Sequence, residues 1–188
     1  MNRITPAACP WPQLDSAPTP SARNRYETID GELFVTPAPS LRHQEVLARL
    51  HLVMGEYVRR HELGHLWFAP VDVVYGRMTL VEPDMLFVSA TRRAILTERE
   101  VTVALDLAIE VLSPTTARTD RGRKRALYQQ TGIREYWIVD AELNRVEIWR
   151  PGAMEAEVQA DFVNWQPEPS LDALRIDGRE IFKPLTTP

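Results

Sequence analysis

The sequence predicts an α/β or α+β domain, in which a mixed central sheet is flanked by helices and preceded by an extra N-terminal hairpin. The first indication is the order of patterns along the chain: hairpin, long amphipathic helix, three strands, second helix and second hairpin. The second is the almost continuous apolar run at residues 105–112, which is typical of a central strand covered on both faces. Elements in this order build a sheet with helices packed against it.

The composition is that of a soluble globular protein with one core. The chain has 188 residues, of which 44% are hydrophobic and 26% are charged. The net charge of −4 disfavours a protein that binds duplex nucleic acid over its whole surface, although a local basic patch is compatible with it. A single cysteine, Cys9, excludes an internal disulfide and a cysteine-based zinc cage.

Membrane and export signals are missing from the sequence. No stretch is long and apolar enough to span a bilayer, and the N-terminus lacks the apolar centre of a secretory signal. We therefore expect a cytoplasmic protein without a membrane partner.

Residues 1–24 are rich in proline, alanine, serine and threonine, a composition that sustains neither a helix nor a strand ladder. We interpret them as an extended or mobile arm, and residues 25–188 as a single domain. Trp11 is the exception in this composition, and its ring could pin the arm to the domain or to a second subunit.

The first two elements are a hairpin and a helix. Residues 26–37 predict the hairpin, because two strand-forming stretches flank Asp30-Gly31, a dipeptide that favours a two-residue turn. A helix then runs to about residue 60, with Ser40 as its N-cap and His43 at the head of its inner face. Apolar residues at helical spacing predict that inner face, namely Val46, Leu50, Val53, Met54 and Tyr57.

Alternating patterns and turn residues predict the remaining elements. Pro70 indicates an edge strand or a bulge, and Gly132 is expected to end the second helix. In order, the elements are a strand at 66–75, a strand at 80–88, a loop with a helical turn at 89–100, the central strand at 105–112, a helix at 120–130, a hairpin with strands at 136–140 and 145–149, and weak strands at 173–177 and 180–182.

Two acidic residues interrupt apolar strands. Glu110 lies within the central strand, where an unpaired carboxylate is costly, so it needs a cation, a hydrogen-bond partner or a raised pKa. An ion pair with an arginine, or a cap on a backbone group, explains it equally well. Asp84 follows Pro83 on the neighbouring strand, where an exposed acid at a strand start is the simpler interpretation. Taken together, two acids on adjacent strands can reach one Mg²⁺ ion.

The second helix has a basic first turn. Arg121 and Arg123 oppose the helix macrodipole, so either acids such as Asp120 or a bound phosphate should compensate them. A solvated basic face is the common alternative. Lys124 differs, because it lies on a partly apolar stripe with Asp120 and Tyr128. We expect Lys124 to face the sheet and the arginines to point outward.

Pro83-Asp84, Glu110 in an apolar strand and a following lysine resemble the PD-(D/E)xK nuclease superfamily, whose members have the restriction-endonuclease-like fold. The resemblance implies a restriction-endonuclease-like core, in which acids on adjacent strands hold Mg²⁺ or Mn²⁺. In the simple superfamily pattern the lysine lies two residues after the second acid, where this chain has Leu112. Some branches carry the lysine on the following helix instead, and Lys124 fits that arrangement.

The chain is more specifically similar to the Uma-type restriction endonuclease family, over most of residues 26–150 and more weakly as far as Phe182. The combination of matching stretches is specific, whereas each dipeptide alone is not. These stretches are Tyr26-Glu27, Asp30-Gly31-Glu32-Leu33, Pro39 with His43, Pro83-Asp84, Glu110-Val111-Leu112-Ser113-Pro114, Asp120 with Lys124 and Tyr128, and Gly132 through Glu135-Tyr136-Trp137-Ile138-Val139-Asp140.

This resemblance implies the hydrolysis of phosphodiester bonds. Asp84 and Glu110 are the implied metal ligands, and the metal would polarise the phosphate and lower the pKa of a bound water. Lys124 is the implied third catalytic residue, which would orient or deprotonate that water or stabilise charge on the phosphate.

Three further residues are candidates of second rank. His43 could reach the acids or simply be satisfied by backbone, Glu32 could be an accessory acid or a strand-edge charge, and Tyr128 could pack with its hydroxyl near Lys124. Trp137 and Trp149 are expected in the core or at an interface, with stacking on bases as the alternative.

Two classes of function compete at this point. The first is a metal-dependent endonuclease acting on nucleic acid, with DNA as the expected substrate. The second is a catalytically silent nuclease-like fold that binds nucleic acid or a protein partner, which the acidic net charge and the displaced lysine favour. We also expect a homodimer that uses the hairpin at 136–149 and the N-terminal arm.

Overall fold

The computed structural model describes residues 24–97, 100–101 and 105–185. Nearly all of the predicted arm, including Trp11, lies outside these residues. Helices pack on mixed sheets in the described part, so the predicted α+β class is confirmed.

The elements of the described residues are as follows. The strands are β1 (Arg25–Ile29), β2 (Glu32–Thr36), β3 (Gly64–Phe68), β4 (Asp72–Val74), β5 (Leu80–Val81), β6 (Met85–Ser89), β7 (Glu100–Val101), β8 (Leu107–Val111), β9 (Glu135–Asp140), β10 (Arg145–Trp149), β11 (Glu157–Gln159), β12 (Phe162–Trp165) and β13 (Leu174–Asp177). The helices are α1 (Leu41–Arg60), α2 (Ala117–Thr119), α3 (Arg125–Thr131) and α4 (Gly178–Ile181), with a 3₁₀ helix at Ala90–Ile95 and a π-helical turn at Asp120–Lys124.

The larger sheet has six strands in the order β11-β10-β9-β8-β6-β3. Strands β8 and β9 are parallel, and the other neighbours are antiparallel. All five residues of β8 are buried, because the sheet is covered on both faces. The predicted central strand is therefore confirmed.

The smaller sheet has five strands in the order β2-β1-β5-β4-β7, while β12 and β13 pair separately. Strands β1 and β2 form the predicted hairpin. At its turn Asp30 has φ 53° and Gly31 has φ 81°. A two-residue turn requires two positive φ angles, which this dipeptide tolerates.

Helix α1 covers one face of the larger sheet. Ser40 caps it by accepting the His43 N–H at 3.2 Å. Val46 and Met54 are completely buried on its inner face, and each such burial contributes roughly 1.5–3 kcal/mol. Val53, which was predicted to be core, is 40% exposed, because neighbouring helical residues point about 100° apart and Met54 takes the inward position.

The opposite face of the larger sheet packs against α3 and the smaller sheet. Leu86 of β6 and Ala108 of β8 meet Tyr128 of α3 and Val73 of β4 in a second apolar layer. By strand alternation Asp84 and Glu110 belong to this same face. The fold thus directs two acids toward the layer between the sheets.

Two predicted strands are wrong as single elements, and both break at a proline. The stretch 66–75 divides into β3 and β4 around Pro70, and the stretch 80–88 divides into β5 and β6 around Pro83. In each case the two halves belong to different sheets. Proline cannot donate to a strand ladder, so the chain leaves one sheet there and enters the other.

Helix boundaries and the C-terminal region also differ from the prediction. The second helical segment begins earlier, at Ala117, although Gly132 ends it in the left-handed conformation at φ 75° as predicted. The weak strand at 180–182 is wrong. That stretch overlaps α4, which begins there because the Asp177 side chain accepts the Arg179 N–H at 2.9 Å.

Candidate active site

Asp84 and Glu110 face each other across neighbouring strands. Met85 is opposite Ile109 in the antiparallel pairing of β6 with β8. Continuing that register by one residue places Asp84 opposite Glu110, and opposite residues point to the same face. The Val111 N–H donates to Asp84 Oδ2 at 2.8 Å, which holds the aspartate against β8. The structure therefore brings the two predicted metal ligands together.

Three donors engage the Asp84 carboxylate. Arg25 Nη1 donates to Oδ1 at 2.8 Å, while His43 Nε2 lies 2.9 Å from Oδ2, the oxygen that also accepts from Val111. Burial alone would raise the pKa of Asp84, but the hydrogen bonds and charges of His43 and Arg25 lower it well below its ordinary value. Asp84 is therefore an anion, and His43 is in direct contact with it.

Lys124 points into the protein and reaches two acids. Its Nζ donates to Glu110 Oε1 at 2.8 Å and lies 2.8 Å from Glu27 Oε1. A third carboxylate oxygen, Asp120 Oδ1, is 3.8 Å away. Burial would lower the pKa of Lys124, but the charges of Glu110, Glu27 and Asp120 raise it well above its ordinary value. The amine is therefore held as a cation.

The π-helical turn explains how the helix presents two inward groups. Asp120 and Lys124 are its first and last residues, and each side chain belongs to a residue only 1% exposed. Such turns interrupt α-helices frequently at functional sites. Because the two residues are four positions apart, they lie on the same side of the helical segment.

Glu27 and Arg25 are members of the site that the sequence interpretation missed. Glu27 is 1% exposed, and its Oε1 also accepts the Glu82 N–H at 2.8 Å. The signal was present, because Glu27 lies inside the first predicted strand, Tyr26-Glu27-Thr28-Ile29, and the argument made for Glu110 applies to an acid within a strand. Arg25 is two residues earlier on β1, so it shares the same face.

Burial makes two of the acids hard to ionise. It raises the pKa of Glu110 well above its ordinary value against the opposing charge of Lys124. It also raises the pKa of Asp120 to about 6, with Lys124 and the nearby Thr116 hydroxyl opposing the shift. Neither Asp120 oxygen accepts a hydrogen bond of good geometry from a described residue.

The charges of the site are out of balance by two. We name four buried acids the carboxylate cluster, and these are Glu27, Asp84, Glu110 and Asp120. Among the described residues, Arg25 and Lys124 are the permanent cations in ion pairs with these acids, so full ionisation leaves four minus two, or two, negative charges. That excess equals the charge of one divalent cation.

The carboxylates of Asp84 and Glu110 suit a hard metal ion that takes only one or two ligands from the protein. Among the described residues no group of three or more His, Cys, Asp or Glu side chains is arranged so that it could hold a metal ion. Mg²⁺ does not require one, because it is commonly held by one or two carboxylates together with waters and phosphate oxygens. Asp84 and Glu110 provide two such carboxylates on one face.

A cleft of about 1130 Å³ opens at the site. Arg25, His43 and Asp84 line it, whereas Glu110 and Lys124 are not among its lining residues and lie behind Asp84. Ser40 at the start of α1 and residues 111–117 after β8 form further parts of its wall. The cleft gives an outside molecule access to Asp84 first.

Comparison with known proteins assigns the chain to a family. The family model Uma2, described as "Putative restriction endonuclease", matches residues 11–178 of the chain. The chain belongs to the Uma2 family. No curated protein matches it.

A solved structure resembles the Uma2 chain over most of its length. It is that of a putative nuclease belonging to DUF820 from Anabaena variabilis, which is 21% identical, with 87% of this chain and 93% of that chain covered and a TM-score of 0.70. This likeness shows a shared fold. In the part of the chain that the structure describes, no helix has both the length and the apolar character needed to cross a membrane.

The two arginines predicted to bind phosphate are engaged in ion pairs of the Uma2 chain. Arg121 Nη2 lies 2.8 Å from Asp140 Oδ2 and 2.8 Å from Glu147 Oε1. Arg123 Nη2 lies 2.9 Å from Glu32 Oε2, and both of these side chains are more than half exposed. Glu32 is thus a surface charge bonded to Arg123. Arg121 lines the cleft, so only this arginine of the pair borders the site.

The predicted aromatic residues are buried. Tyr128 is fully buried beside Tyr136, and burial raises the pKa of its hydroxyl well above the ordinary value. Trp137 is fully buried, while Trp149 is 9% exposed with the Arg125 guanidinium 4.6 Å from its ring centre. These side chains are packed in the apolar layers on the two faces of the larger sheet.

Proposed function

We propose that this Uma2 protein is a metal-dependent endonuclease that hydrolyses phosphodiester bonds of nucleic acid, with DNA as its substrate. The observation that carries the proposal is the 2.8 Å contact between Lys124 Nζ and Glu110 Oε1, beside the Asp84 carboxylate on the neighbouring strand. Asp84, Glu110 and Lys124, which come from distant parts of the chain, are thereby brought into one site. Membership of the Uma2 family supports the same function.

Asp84 and Glu110 are the residues that would hold Mg²⁺ or Mn²⁺. Asp84 is ionised and borders the cleft, whereas burial raises the pKa of Glu110 against the opposing charge of Lys124. When bound, a divalent ion supplies Lewis-acid stabilisation of charge on the phosphate and lowers the pKa of water. The two excess negative charges of the carboxylate cluster favour such an ion.

Lys124 acts in this proposal as a fixed cation and hydrogen-bond donor. Its raised pKa keeps the amine protonated at neutral pH, so that it cannot accept a proton from water. A cationic donor next to Glu110 can instead orient the attacking water or stabilise negative charge that develops on the phosphate. Of the roles that the resemblance implied for this lysine, orientation and charge stabilisation are therefore favoured over deprotonation.

His43 is a positioning residue for Asp84. Its Nε2 lies 2.9 Å from Asp84 Oδ2, and its place at the start of α1 is fixed by the Ser40 cap. The imidazole therefore limits rotation of the carboxylate that faces the cleft. Arg121 at the cleft border is the better placed of the two arginines to meet a phosphate, although it would have to share its donors with Asp140 and Glu147.

Cleavage of DNA with matched lysine variants tests the proposal. Supercoiled plasmid is incubated with the purified protein and Mg²⁺ or Mn²⁺, and nicked and linear products are quantified. We expect Asp84→Asn and Lys124→Met to lower the cleavage rate by on the order of 10²–10³-fold, the usual cost of losing one such group. Lys183→Met is the control, because Lys183 is exposed and is the other lysine of the chain.

Three outcomes would contradict the proposal in different ways. Cleavage that both site variants retain would remove these residues from the mechanism. Cleavage of an RNA substrate in preference to plasmid would correct the substrate. Absence of cleavage with either metal, together with retained binding of DNA, would instead identify a catalytically silent binding module.

A further inference from the structure

Arg25 occupies the boundary between the cleft and the carboxylate cluster. Its side chain is 19% exposed, lines the cleft and donates from Nη1 to Asp84 Oδ1 at 2.8 Å. Its Nε is buried without a hydrogen-bond partner among the described residues, and Glu27 Oε2 lies 4.0 Å from it. The guanidinium therefore has donor capacity that the protein leaves unused.

The two oxygens of Asp84 are held in different ways. Oδ2 is fixed by a backbone N–H and by the buried His43, whereas Oδ1 has the bond to Arg25. Arg25 is a long, partly exposed side chain that lines the cleft, so it can move away from Oδ1, whereas a backbone N–H cannot move away from Oδ2. An entering cation therefore gains access to Asp84 through Oδ1, and Arg25 is the group that it must displace.

The charges around Arg25 favour a different position of its guanidinium when a divalent cation is bound. In the metal-free protein the guanidinium is attracted by Glu110, Asp84 and Glu27 together. A divalent cation bound to Asp84 and Glu110 would neutralise much of this attraction and repel the guanidinium. The displaced fork of donors then faces the cleft, where a phosphate can accept two parallel hydrogen bonds from it.

We propose that Arg25 exchanges between two partners: it competes with the divalent cation for Asp84 Oδ1 in the free protein, and after displacement it binds a substrate phosphate next to the cation. This inference rests on the proposed function, because it requires a metal ion at Asp84. It predicts that Arg25 opposes metal binding and favours substrate binding. A purely structural ion pair would instead support both.

Two binding measurements on the same variant separate these possibilities. Ca²⁺, which uses the same oxygen ligands, is titrated by calorimetry into wild-type protein and into Arg25→Gln. Binding of a short fluorescent DNA oligonucleotide is then measured at saturating Ca²⁺. We expect Arg25→Gln to bind Ca²⁺ about tenfold more tightly and the oligonucleotide about tenfold more weakly, the size of effect that one charged hydrogen bond produces.

Arg179→Gln is the matched control. Arg179 also pairs with an aspartate, at 2.7 Å between Nη2 and Asp177 Oδ2, but on an exposed surface outside the cleft. We expect its affinities for Ca²⁺ and oligonucleotide to equal those of the wild type. A shift of the same size in this variant would attribute the effect to net charge and overturn the inference.

A further variant and a wild-type measurement cover loss of folding. Arg25→Lys keeps the positive charge and should keep Ca²⁺ affinity near the wild-type value, yet bind the oligonucleotide more weakly because it lacks the fork. In the wild type, the Arg25 Nε–H resonance, assigned by its absence in Arg25→Lys, should shift when Ca²⁺ is added. An unchanged resonance at saturating Ca²⁺ would overturn the proposed exchange.

The failures of the two proposals can be told apart. If the wild type binds Ca²⁺ and Arg25→Gln binds it equally or more weakly, the exchange is wrong while the metal site stands. If neither protein binds Ca²⁺, both the metal site and the exchange are wrong. If only Arg25→Gln binds Ca²⁺, Arg25 is not displaced by the ion in the wild type, which overturns the exchange.

Discussion

Lys124 Nζ lies 2.8 Å from Glu110 Oε1, although the two residues are 14 positions apart and belong to different layers of the fold. The lysine thus reaches from a helix to the middle of a sheet strand. The position two residues after Glu110 holds Leu112, which lines the cleft. A side chain from the next helical segment therefore supplies the cation that an uninterrupted strand motif would have carried itself.

Removing this cation should destabilise the protein in a pH-dependent manner. We expect Lys124→Met to lower the free energy of unfolding by roughly 3–5 kcal/mol at pH 7, because three buried acids lose their partner. The loss should be smaller at pH 5, where protonation removes part of the repulsion. Urea denaturation at both pH values measures it. Lys183→Met is the control, and equal stability of both variants at pH 7 would contradict the prediction.

Asp120→Asn should stabilise the protein at neutral pH. The pKa of Asp120 is raised by burial from its ordinary value of 3.8 to about 6 in the folded state, so the folded state binds more protons than the unfolded state between these two pH values. The unfolding free energy then falls as pH rises through this interval. In Asp120→Asn the unfolding free energy should not decrease over this pH interval. At pH 7 it should exceed that of the wild type by on the order of 1–3 kcal/mol. Parallel denaturation curves from pH 4 to pH 7 for both proteins would contradict this.

Divalent metal should raise the thermal stability of the wild type. An ion that binds only the folded state stabilises it by about 2.7 kcal/mol at 100 times its dissociation constant, which corresponds to several degrees in Tm. Asp84→Asn should lose this increment. Asp106→Asn is the matched control, since Asp106 is also buried but pairs with Arg92 and Arg134. Melting curves with and without Mg²⁺ or Mn²⁺ decide, and an increment that survives in Asp84→Asn would exclude Asp84 as a ligand.

Gly178→Ala should be strongly destabilising, whereas Gly122→Ala should not. A Cβ at position 178 would overlap the backbone carbonyl of Ala160, which cannot move without disturbing the chain before β12. At position 122, inside the π-helical turn, a Cβ meets nothing within 4 Å. We therefore expect a gain of about 0.5–1 kcal/mol for Gly122→Ala from its better helix propensity. Denaturation midpoints compare the two variants, and similar losses in both would contradict this account.

The sequence predicted those features that depend on local pattern. The Asp30-Gly31 turn, the Ser40 cap, the buried strand β8 and the left-handed Gly132 were all determined by residues within one or two turns of the position concerned. The inward orientation of Lys124 followed from helical spacing in the same way. Such features need no knowledge of distant partners.

The features that were missed depend on contacts between distant segments. The sequence pattern did not show that the chain crosses from one sheet to the other at Pro70 and Pro83. Strand-forming residues lie both before and after each proline, so each stretch was predicted as one strand. Glu27 and Arg25 join the site only because β1 lies across from Asp84 and Lys124 in the folded protein. Their burial is a property of the pairing of strands, which no local window contains.

The passage of the chain between the two sheets at Pro83 has a consequence for the order of assembly. Asp84 lies where the chain crosses between the sheets. It accepts hydrogen bonds from Arg25 of the smaller sheet and from the Val111 N–H of the larger sheet. A nascent chain that ends before residue 124 lacks the lysine, and one that has formed only one sheet holds only part of the carboxylate cluster. The complete carboxylate cluster with its lysine therefore exists only when both sheets and the helical segment have met.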